Sequence, residues 1–497
     1  MTMRFQFLGE PALLFGSGGM SIDPKLGLAR SGPYSVSSDG VQDISIGIIG
    51  PERETGELLR WIERCQHPIE GRESSLHLDP HFPGFERAFR SQFSVSHSWE
   101  LLIPRLDLQT SLADSDPISR FERTVELYCE RVAAAADSQP YPQVILFALP
   151  QELLDRCSSV RPGQTAVAKR RRKARPTSGA RQLKFLFAEE ELEAIEENAA
   201  TRVVYRNFRR AVKVRIMQWG IPIQLATPKL WQDRLDAQHP ATKAWNFCTG
   251  MFFKAGGVPW MWADMPTGTC YVGISFYRPA TERSCVRTSL AQVFTSRGEG
   301  IVIRGQKFEQ EDEYSAPHMP PELAADLMER AIDSYITANN GVPPERLVVQ
   351  KTSRYWPDEL EGLRSAASNV PYQTYITLDE RDIRFVRYMK DYPPLRGTLC
   401  TIEGVEEAFL FTRGSITIRQ SYPGPYIPKP LVIVEHIGDS PLERVAEEIL
   451  GLSKMNWNAA LIANFYPITL QFATRVGEIL SVAGPDDPIA SQFRFYM

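Results

Sequence analysis

The chain has 497 residues, enough for roughly two to four domains with sizeable cores. Its hydrophobic content of 43%, charged content of 23% and formal net charge of -4 are ordinary for a globular protein, so any nucleic-acid surface must be a local patch. The seven cysteines include no CxxC pair, which argues against a disulfide framework or zinc knuckle and favours a cytoplasmic location. No stretch has the pattern of a signal peptide or the length of a membrane span.

The predicted elements begin with a Gly- and Pro-rich segment, residues 1–40, which we expect to be extended and to lie against the rest of the chain. From residue 41 onward, the apolar strand ISIGIIG precedes a helix over residues 52–65. A long helix over residues 118–135 and the buried strand QVILFALP (143–150) follow. Strands that alternate with helices in this way predict a parallel, Rossmann-like sheet.

Two polar stretches interrupt this first unit. His77, Asp79 and His81 have the residue types of a metal site, but Pro80 disturbs their geometry and a surface loop is the stronger interpretation. Residues 159–185 predict a flexible insertion with a dense basic run. The run consists of Lys169, Arg170, Arg171, Arg172 and Lys173. It is equally compatible with a solvated loop and with contacts to a phosphate backbone.

A predicted helix–strand–helix segment, residues 209–254, concentrates cationic and amide side chains. Arg209 and Lys213 stand one helical turn apart, so their charges can converge on one point. Gln224 lies on the short strand that follows, and a second helix behind Pro240 ends at Lys254. These four side chains would suit a terminal phosphate, although on spacing alone solvated charge is an equally good interpretation.

The second unit begins at Pro259 with three strands in a predicted meander: TCYVGISFYR, SLAQVFTS and GIVIRGQKF. A helix over residues 321–338, the buried strand LVVQKTS and further helices and strands come next. Three helices are predicted to close the chain, over residues 442–450, 457–464 and 468–480. Three antiparallel strands followed by alternating helices and strands are typical of an RNase H-like fold.

Together these motifs resemble a short prokaryotic Argonaute, the class that keeps the MID and PIWI domains and has an inactive PIWI domain. The motifs are EPALLFGSGG, AGGVPW after Lys254, YVGISF, QKTSRYWPDEL and the closing KMNWNAALIANFYPITLQFATRVG. The resemblance implies an α/β fold with an N-terminal segment (1–40), a Rossmann-like MID domain (41–258) and an RNase H-like PIWI domain (259–497).

The resemblance implies that the MID domain binds the 5′ phosphate of a guide strand through an aromatic or basic residue, Lys, Gln and Lys. The matching residues are Arg209, Lys213, Gln224 and Lys254. Because Arg209 stands where many relatives have tyrosine, Phe208 or Tyr205 would have to supply base stacking. The family often adds a divalent metal, here Mg²⁺, which would be bridged by the C-terminal carboxylate of Met497.

The same resemblance predicts that this chain does not cut nucleic acid. A slicing Argonaute needs carboxylates that hold two metal ions about 4 Å apart. The first expected position carries Ser275, and the second carries Lys351 and Thr352. The last expected position lies in the closing helices, where PITLQF contains no acidic residue. The nearest acidic cluster comprises Glu309, Glu311, Asp312 and Glu313. This cluster leaves open the alternative that the chain is an active nuclease whose catalytic acids are displaced, although a solvated loop is the simpler interpretation.

An inactive Argonaute of this type implies a guide-directed sensor of a prokaryotic immune system. A short guide, RNA in preference to DNA, would pair with a single-stranded DNA target, so that base pairing reads the sequence. The resemblance further implies an APAZ-domain partner fused to an effector: an NAD-depleting TIR or sirtuin-like domain, or a nuclease. Target binding to this heterodimer, or to a larger activated oligomer, would trigger abortive infection. A scaffold subunit of a toxin complex is the remaining alternative.

Overall fold

The computed structural model describes residues 2–35, 41–76, 79–160, 206–232, 238–279, 285–293, 300–309, 317–385, 394–416, 427–484 and 487–497. The basic run at 169–173, Tyr205, His77 and the acids at 311–313 lie outside the described residues. Predictions that concern those positions therefore stay predictions.

The N-terminal segment lies along the rest of the chain and contains a helix in addition to the extended stretches predicted for it. Its elements are β1 (Met3–Phe7), β2 (Leu13–Leu14), β3 (Met20–Ser21) and α1 (Pro24–Ser31). Asp23 begins α1 as its N-cap, because its carboxylate accepts the main-chain N–H of Lys25 at 2.9 Å. The Asp-Pro pair was thus a helix-start signal inside a segment that the Gly and Pro content made to look extended.

A buried ion cluster fixes this segment to the second unit. Arg396 Nε donates to both carboxylate oxygens of Glu10, at 3.0 and 2.9 Å. Lys454 Nζ donates to Glu10 Oε1 at 2.8 Å and to the main-chain oxygens of Pro11 and Ile22 at 2.8 and 2.7 Å. All three ammonium protons of Lys454 therefore have acceptors in the segment, which accounts for the burial of its charged end.

A pair of glycines on the first two helices gives a test of this packing. Gly27 of α1 faces the ring of Phe15, which a Cβ at Gly27 would overlap, whereas a Cβ at Gly56, on the helix over Glu52–Gln66, would meet nothing within 4 Å. We expect Gly27→Ala to lower the free energy of unfolding by about 1–3 kcal/mol through overpacking. Gly56→Ala, the matched control, should raise it by about 0.5–1 kcal/mol. Urea unfolding measures both, and equal effects would contradict the packing of α1.

The first α/β unit is organised around a four-stranded parallel sheet. In chain order its elements are β4 (Gln42–Gly50), α2 (Glu52–Gln66), α3 (Phe85–Phe89), β5 (Ser91–Leu102), α4 (Arg105–Ala113), α5 (Pro117–Ala136), β6 (Val144–Ala148), α6 (Gln151–Cys157), β7 (Ser159–Val160), β8 (Arg206–Asn207), α7 (Phe208–Ile216), β9 (Ile223–Ala226), α8 (Pro228–Trp231) and α9 (Pro240–Lys254). The sheet order is β5-β4-β6-β9, and every neighbouring pair is parallel.

Both faces of this sheet are covered, which explains why β6 is a continuous apolar run. Leu146 packs in one cluster with Trp61 of α2, and Phe147 packs in another with Tyr128 of α5. All five residues of β6 are buried. A parallel sheet with helices on both faces requires such strands, so the predicted Rossmann-like unit is confirmed.

The second unit is organised around a nine-stranded sheet. Its elements are β10 (Met261–Trp262), β11 (Thr269–Tyr277), β12 (Cys285–Val293), β13 (Gly300–Glu309), α10 (Pro321–Ala338), β14 (Arg346–Lys351), α11 (Pro357–Ala366), β15 (Tyr372–Glu380), β16 (Thr398–Ile402), β17 (Ala408–Leu410), β18 (Leu431–Gly438), α12 (Leu442–Leu452) and α13 (Ile468–Leu480). The order is β1-β16-β17-β18-β15-β14-β11-β12-β13. Strands β11 to β13 form an antiparallel meander, and β14 and β15 run parallel to β11. The predicted α/β class and RNase H-like strand order are confirmed.

One predicted helix is wrong, because residues 457–464 form turns instead. Asparagine side chains take over the main-chain hydrogen bonds there. The side-chain oxygen of Asn456 accepts the N–H of Asn458 at 3.0 Å, and Asn464 Nδ2 donates to the main-chain oxygen of Ser453 at 3.0 Å. Asparagine competes with helical hydrogen bonding in this way, so the apolar spacing of the segment was misleading.

Two observations on the described residues complement the sequence analysis. Six cysteines are buried and free of disulfide bonds: Cys65, Cys129, Cys157, Cys248, Cys270 and Cys400. None of the helices in the described residues is both long and apolar enough to cross a membrane.

Candidate functional site

The candidate site starts from α7, whose ends are set by local sequence signals. Asn207 caps its first turn by accepting the N–H of Arg210 at 3.1 Å. Gly220 ends the short 3₁₀ turn that follows, with a φ of 66° that glycine adopts without strain. Phe208, Val212 and Ile216 recur at helical spacing and form the buried face of α7.

Lys213 projects from α7 into the interior and meets the end of the chain. Its side chain is 1% exposed, and its Nζ donates to the main-chain oxygen of Met497, itself 2% exposed. Arg209 stands one turn earlier on α7 and is half-buried. The structure thus brings Lys213 and Met497 together and places Arg209 on the same helix.

Lys254 and Gln224 form the second half of the site. Lys254 is the last residue of α9 and is 1% exposed, although only Ala255 separates it from two glycines. Its Nζ donates to the side-chain oxygen of Gln224 on β9. The strand between the two helices therefore places the amide against the lysine.

The closing residues of the chain connect these two pairs. The 3₁₀ turn Phe493–Phe495 lies beside the end of α9, where a Cβ on Gly256 would stand 3.3 Å from Arg494 Nη1. Gly256 has a φ of 100°, which favours glycine at this close approach. Three residues later the same segment reaches Lys213 through Met497.

This arrangement gives the site its electrostatic character. Two ammonium groups from different helices are buried, and burial of a cation is costly unless oppositely charged or hydrogen-bonding groups surround it. Lys213 donates to a main-chain oxygen of Met497, and Lys254 donates to the amide oxygen of Gln224. Lysine is a compact point donor, so a doubly charged phosphate at this place would be strongly stabilised.

The fit of Mg²⁺ to this site depends on Met497. Its oxygen is a hard ligand of the kind that Mg²⁺ binds, and Mg²⁺ usually completes its shell with phosphate oxygens and water. Lys213 donates to that same oxygen, so a bridging ion would share it with the ammonium group. Within the described residues no group of three or more His, Cys, Asp or Glu side chains could hold a metal ion.

The positions predicted for the missing PIWI carboxylates lie on two different faces of the large sheet. Alternate residues of β11 pack on opposite sides, with Ile274 in the cluster of α10 and α11 and Tyr271 in the cluster of α13. Ser275 therefore belongs to the α13 face. On the neighbouring strand, Gln350 accepts a hydrogen bond from Thr469 of α13, so the next residue of β14 points to the opposite face.

That next residue is Lys351, which is part of a buried ion pair. Its Nζ lies 2.5 Å from Glu359 Oε2 on α11, and both side chains are fully buried. The rings of Tyr355 and Phe276 lie beside the ammonium group, with centroids 4.8 and 5.4 Å from Nζ. Burial lowers the pKa of Lys351, against the attraction of Glu359. Lys351 is thus turned away from Ser275, whereas Thr352, one residue further on, is exposed.

Sequence reasoning missed Glu359 and its role. Alternation along LVVQK could have shown that Gln350 and Lys351 face opposite sides of the sheet. Glu359, the partner of Lys351, is the third residue of a helix whose start is indicated by Pro357 in the sequence. The contact between the two side chains depends on the tertiary structure.

The structure also describes residues from the two other candidate clusters of the sequence, the His and Asp loop and the acidic cluster that begins at Glu309. The carboxylate of Asp79 is buried and accepts the hydroxyl of Thr242 at 2.6 Å, which links its loop to α9. His81 Nδ1 accepts the N–H of Gly71 at 2.9 Å. Glu309 ends β13 and is exposed.

A Rossmann-like unit followed by an RNase H-like unit defines an Argonaute-like fold. Three solved structures share it: Clostridium butyricum Argonaute bound to a guide DNA and a 19-mer target DNA, Drosophila Piwi, and Aa-Ago with externally bound siRNA. Their TM-scores are 0.60, 0.58 and 0.54, at 15%, 13% and 13% identity. They cover 97%, 99% and 99% of this chain, which spans 53%, 56% and 56% of theirs. No protein-family model and no curated protein matches the sequence.

Proposed function

We propose that this chain binds a short guide strand by its 5′ phosphate and pairs that guide with a single-stranded target. The observation that supports the proposal is the burial of Lys213 and Lys254, from two helices of an Argonaute-like fold, with Lys213 against Met497 and Lys254 against Gln224. Gln224 and Arg209 would complete the phosphate contacts, and the basic run at 169–173 would add backbone contacts. Sequence specificity would come from base pairing, with the protein holding the backbone.

We further propose that the chain does not itself cleave the target. Ser275 and Thr352 carry no carboxylate. Lys351, the third of these positions, forms an ion pair with Glu359 on the opposite face of the sheet. Two metal ions would lack the acidic ligands that hold them about 4 Å apart. The guide is RNA and the target is DNA in this proposal.

A sensor without chemistry needs a partner that acts on its signal. The proposed partner carries an APAZ domain and an effector that depletes NAD or cuts nucleic acid, and target binding switches it on to stop growth of an invaded prokaryotic cell. Support for this step comes from the sequence resemblance to short Argonautes.

Nucleic acid that co-purifies with the chain, tested with RNase and DNase, identifies the guide. With that guide and a complementary DNA added, the purified chain should leave the DNA intact in Mg²⁺. Co-expressed with the product of the adjacent gene, the complex should consume NAD or degrade DNA once the target is present. Absence of bound nucleic acid would favour the scaffold alternative, and Mg²⁺-dependent cutting by the chain alone would favour the displaced-acid nuclease.

Removal of Mg²⁺ tests the bridging ion that belongs to this proposal. If Met497, the phosphate and water share a Mg²⁺ ion, EDTA should weaken binding of a 5′-phosphorylated strand and leave a 5′-hydroxyl strand unaffected. Competition binding of the two strands with and without EDTA measures this difference. Equal effects of EDTA on both strands would mean that the lysines act without a metal.

A further inference from the structure

An aromatic pair lies exposed at the carboxyl end of β14, apart from the two buried lysines. Trp356 is 45% exposed, although the ring of His318 covers one of its faces. The two ring centroids are 4.0 Å apart, and the planes meet at 11°. The exposed area of the indole therefore belongs to its opposite face and its edges, where a further planar ring can stack.

The buried carboxylate of Glu359 holds this pair in place. Its Oε1 accepts the N–H of Met319, the residue after the histidine, at 3.3 Å. Its Oε2 lies 3.5 Å from the main-chain nitrogen of Trp356 and 2.5 Å from Lys351 Nζ. One fully buried ion pair thus fixes the main chain beside both rings, so little conformational freedom would be lost when a ligand stacks on them.

The location of the aromatic pair in the fold also favours ligand binding. In open parallel α/β sheets, ligands bind beyond the carboxyl ends of the strands, and Trp356 follows that end of β14. The neighbouring Arg354 is 60% exposed at its side chain, and its guanidinium lies 3.5 Å from Glu435. The exposed Thr352 stands in the same loop. A polar, partly cationic rim around a bare indole face fits a nucleobase attached to a phosphate backbone better than an aliphatic side chain.

We propose that Trp356, backed by His318, is a stacking platform for an unpaired nucleobase of a bound strand. Lys351 and Glu359 are positioning residues for this platform. The inference rests on the proposed function, since it assumes that the chain holds a guide and a target. Either strand can supply the base, because every nucleobase has a face that stacks on an aromatic ring.

The test uses 2-aminopurine, whose fluorescence falls when it stacks, placed at successive positions of the guide in one arm and of the target in the other. We expect one position to be quenched in the full chain loaded with a 5′-phosphorylated guide. Trp356→Ala should restore the fluorescence there and weaken binding of that strand roughly 5- to 100-fold, and Trp356→Phe should retain part of the quenching. Tyr372→Ala is the matched control, since Tyr372 is 59% exposed on β15 of the same sheet.

The positioning role has its own readout. Glu359→Gln removes the carboxylate charge that holds Lys351 and should weaken quenching at the same 2-aminopurine position and at no other. Unchanged fluorescence at every position in Trp356→Ala, with the guide still retained in a filter-binding assay, overturns the platform and leaves the proposed function standing. A chain that retains no 5′-phosphorylated strand in that assay overturns both. Loss of binding to a protein partner with unchanged fluorescence also overturns the platform.

Discussion

Lys213→Met and Lys254→Met should each weaken binding of a 5′-phosphorylated guide by about 10- to 150-fold. Each lysine offers the phosphate a charge-assisted hydrogen bond, and such bonds contribute about 1.5–3 kcal/mol. Methionine keeps the length and apolar stem of the side chain, so the substitution removes mainly the positive charge and its hydrogen bonds. The measurement is the ratio of affinities for 5′-phosphorylated and 5′-hydroxyl strands of one sequence.

The matched control for these variants is Lys229→Met, because Lys229 is an exposed lysine on α8 of the same unit. It should alter both affinities equally and slightly, through loss of one surface charge. Urea unfolding of all three variants separates a lost phosphate contact from a damaged fold. If the affinity ratio of the Lys213 and Lys254 variants stays at the value of the unchanged chain, the phosphate site has been assigned to the wrong residues.

Glu10→Gln should lower the free energy of unfolding by about 3–5 kcal/mol at neutral pH. The carboxylate of Glu10 is the shared anion of Arg396 and Lys454, which are 3% and 0% exposed. Removing one member of a buried ion cluster leaves the remaining charges without compensation. Since the cluster holds the N-terminal segment, proteolysis within residues 2–35 should accelerate in parallel. Urea unfolding and limited proteolysis measure the two effects.

The effect of this substitution should depend on pH in a defined direction. Burial opposes ionisation of Glu10, but Arg396 and Lys454 outweigh it and lower the pKa of the carboxyl below 4.5. The contribution of Glu10 is therefore present above about pH 4.5 and is lost as the pH falls through the folded-state pKa.

Lys454 acts in a second pH window. Burial lowers its pKa from 10.5 to about 8, and Glu10 opposes that shift. The folded chain thus releases this proton before the unfolded chain does, and the contribution of Lys454 to stability rises with pH between those values. Without the carboxylate of Glu10, the buried ammonium charge of Lys454 lowers the free energy of unfolding most at pH 7. At pH 10 that charge is absent, because Lys454 is deprotonated. Glu10→Gln should therefore destabilise the chain more at pH 7 than at pH 10.

A surface ion pair provides the control for this prediction. Glu447 lies 3.6 Å from Arg444 on α12, with side chains 49% and 39% exposed. Glu447→Gln should change the free energy of unfolding by less than about 1 kcal/mol at either pH, because solvent screens exposed pairs. A Glu10 variant that behaves like the Glu447 variant would show that the buried cluster does not hold the N-terminal segment.

The candidate site was largely predictable because its residues lie on elements with clear local signals. Gly220 marked the end of one helix and Pro240 the start of the next, and the strand between them had to carry Gln224. Phe208, Val212 and Ile216 recur at helical spacing and are buried, and Lys213 follows Val212 on a neighbouring flank of the helix. Such signals act over three or four residues and need no knowledge of the rest of the fold.

The remaining contacts could not be predicted in this way. Whether a charged side chain is buried depends on what packs over it, and Met497, which meets Lys213, is 284 positions away in the sequence. The same holds for Glu10, whose partners Arg396 and Lys454 belong to the other end of the chain. Ser275 and Lys351 both stand at positions expected to carry catalytic carboxylates, whereas the pleat of β14 turns Lys351 to the opposite face of the sheet.

The sequence by itself determined the α/β class, the order of a Rossmann-like and an RNase H-like unit, and the series of residues on α7, β9 and α9. These follow from hydrophobic period and from turn and cap residues, which are local properties. The tertiary structure alone decided that Lys213 and Lys254 are buried, that Lys351 pairs with Glu359, and that residues 457–464 are not helical. The reason is that burial and pairing depend on residues distant in sequence, whose approach only the packed fold sets.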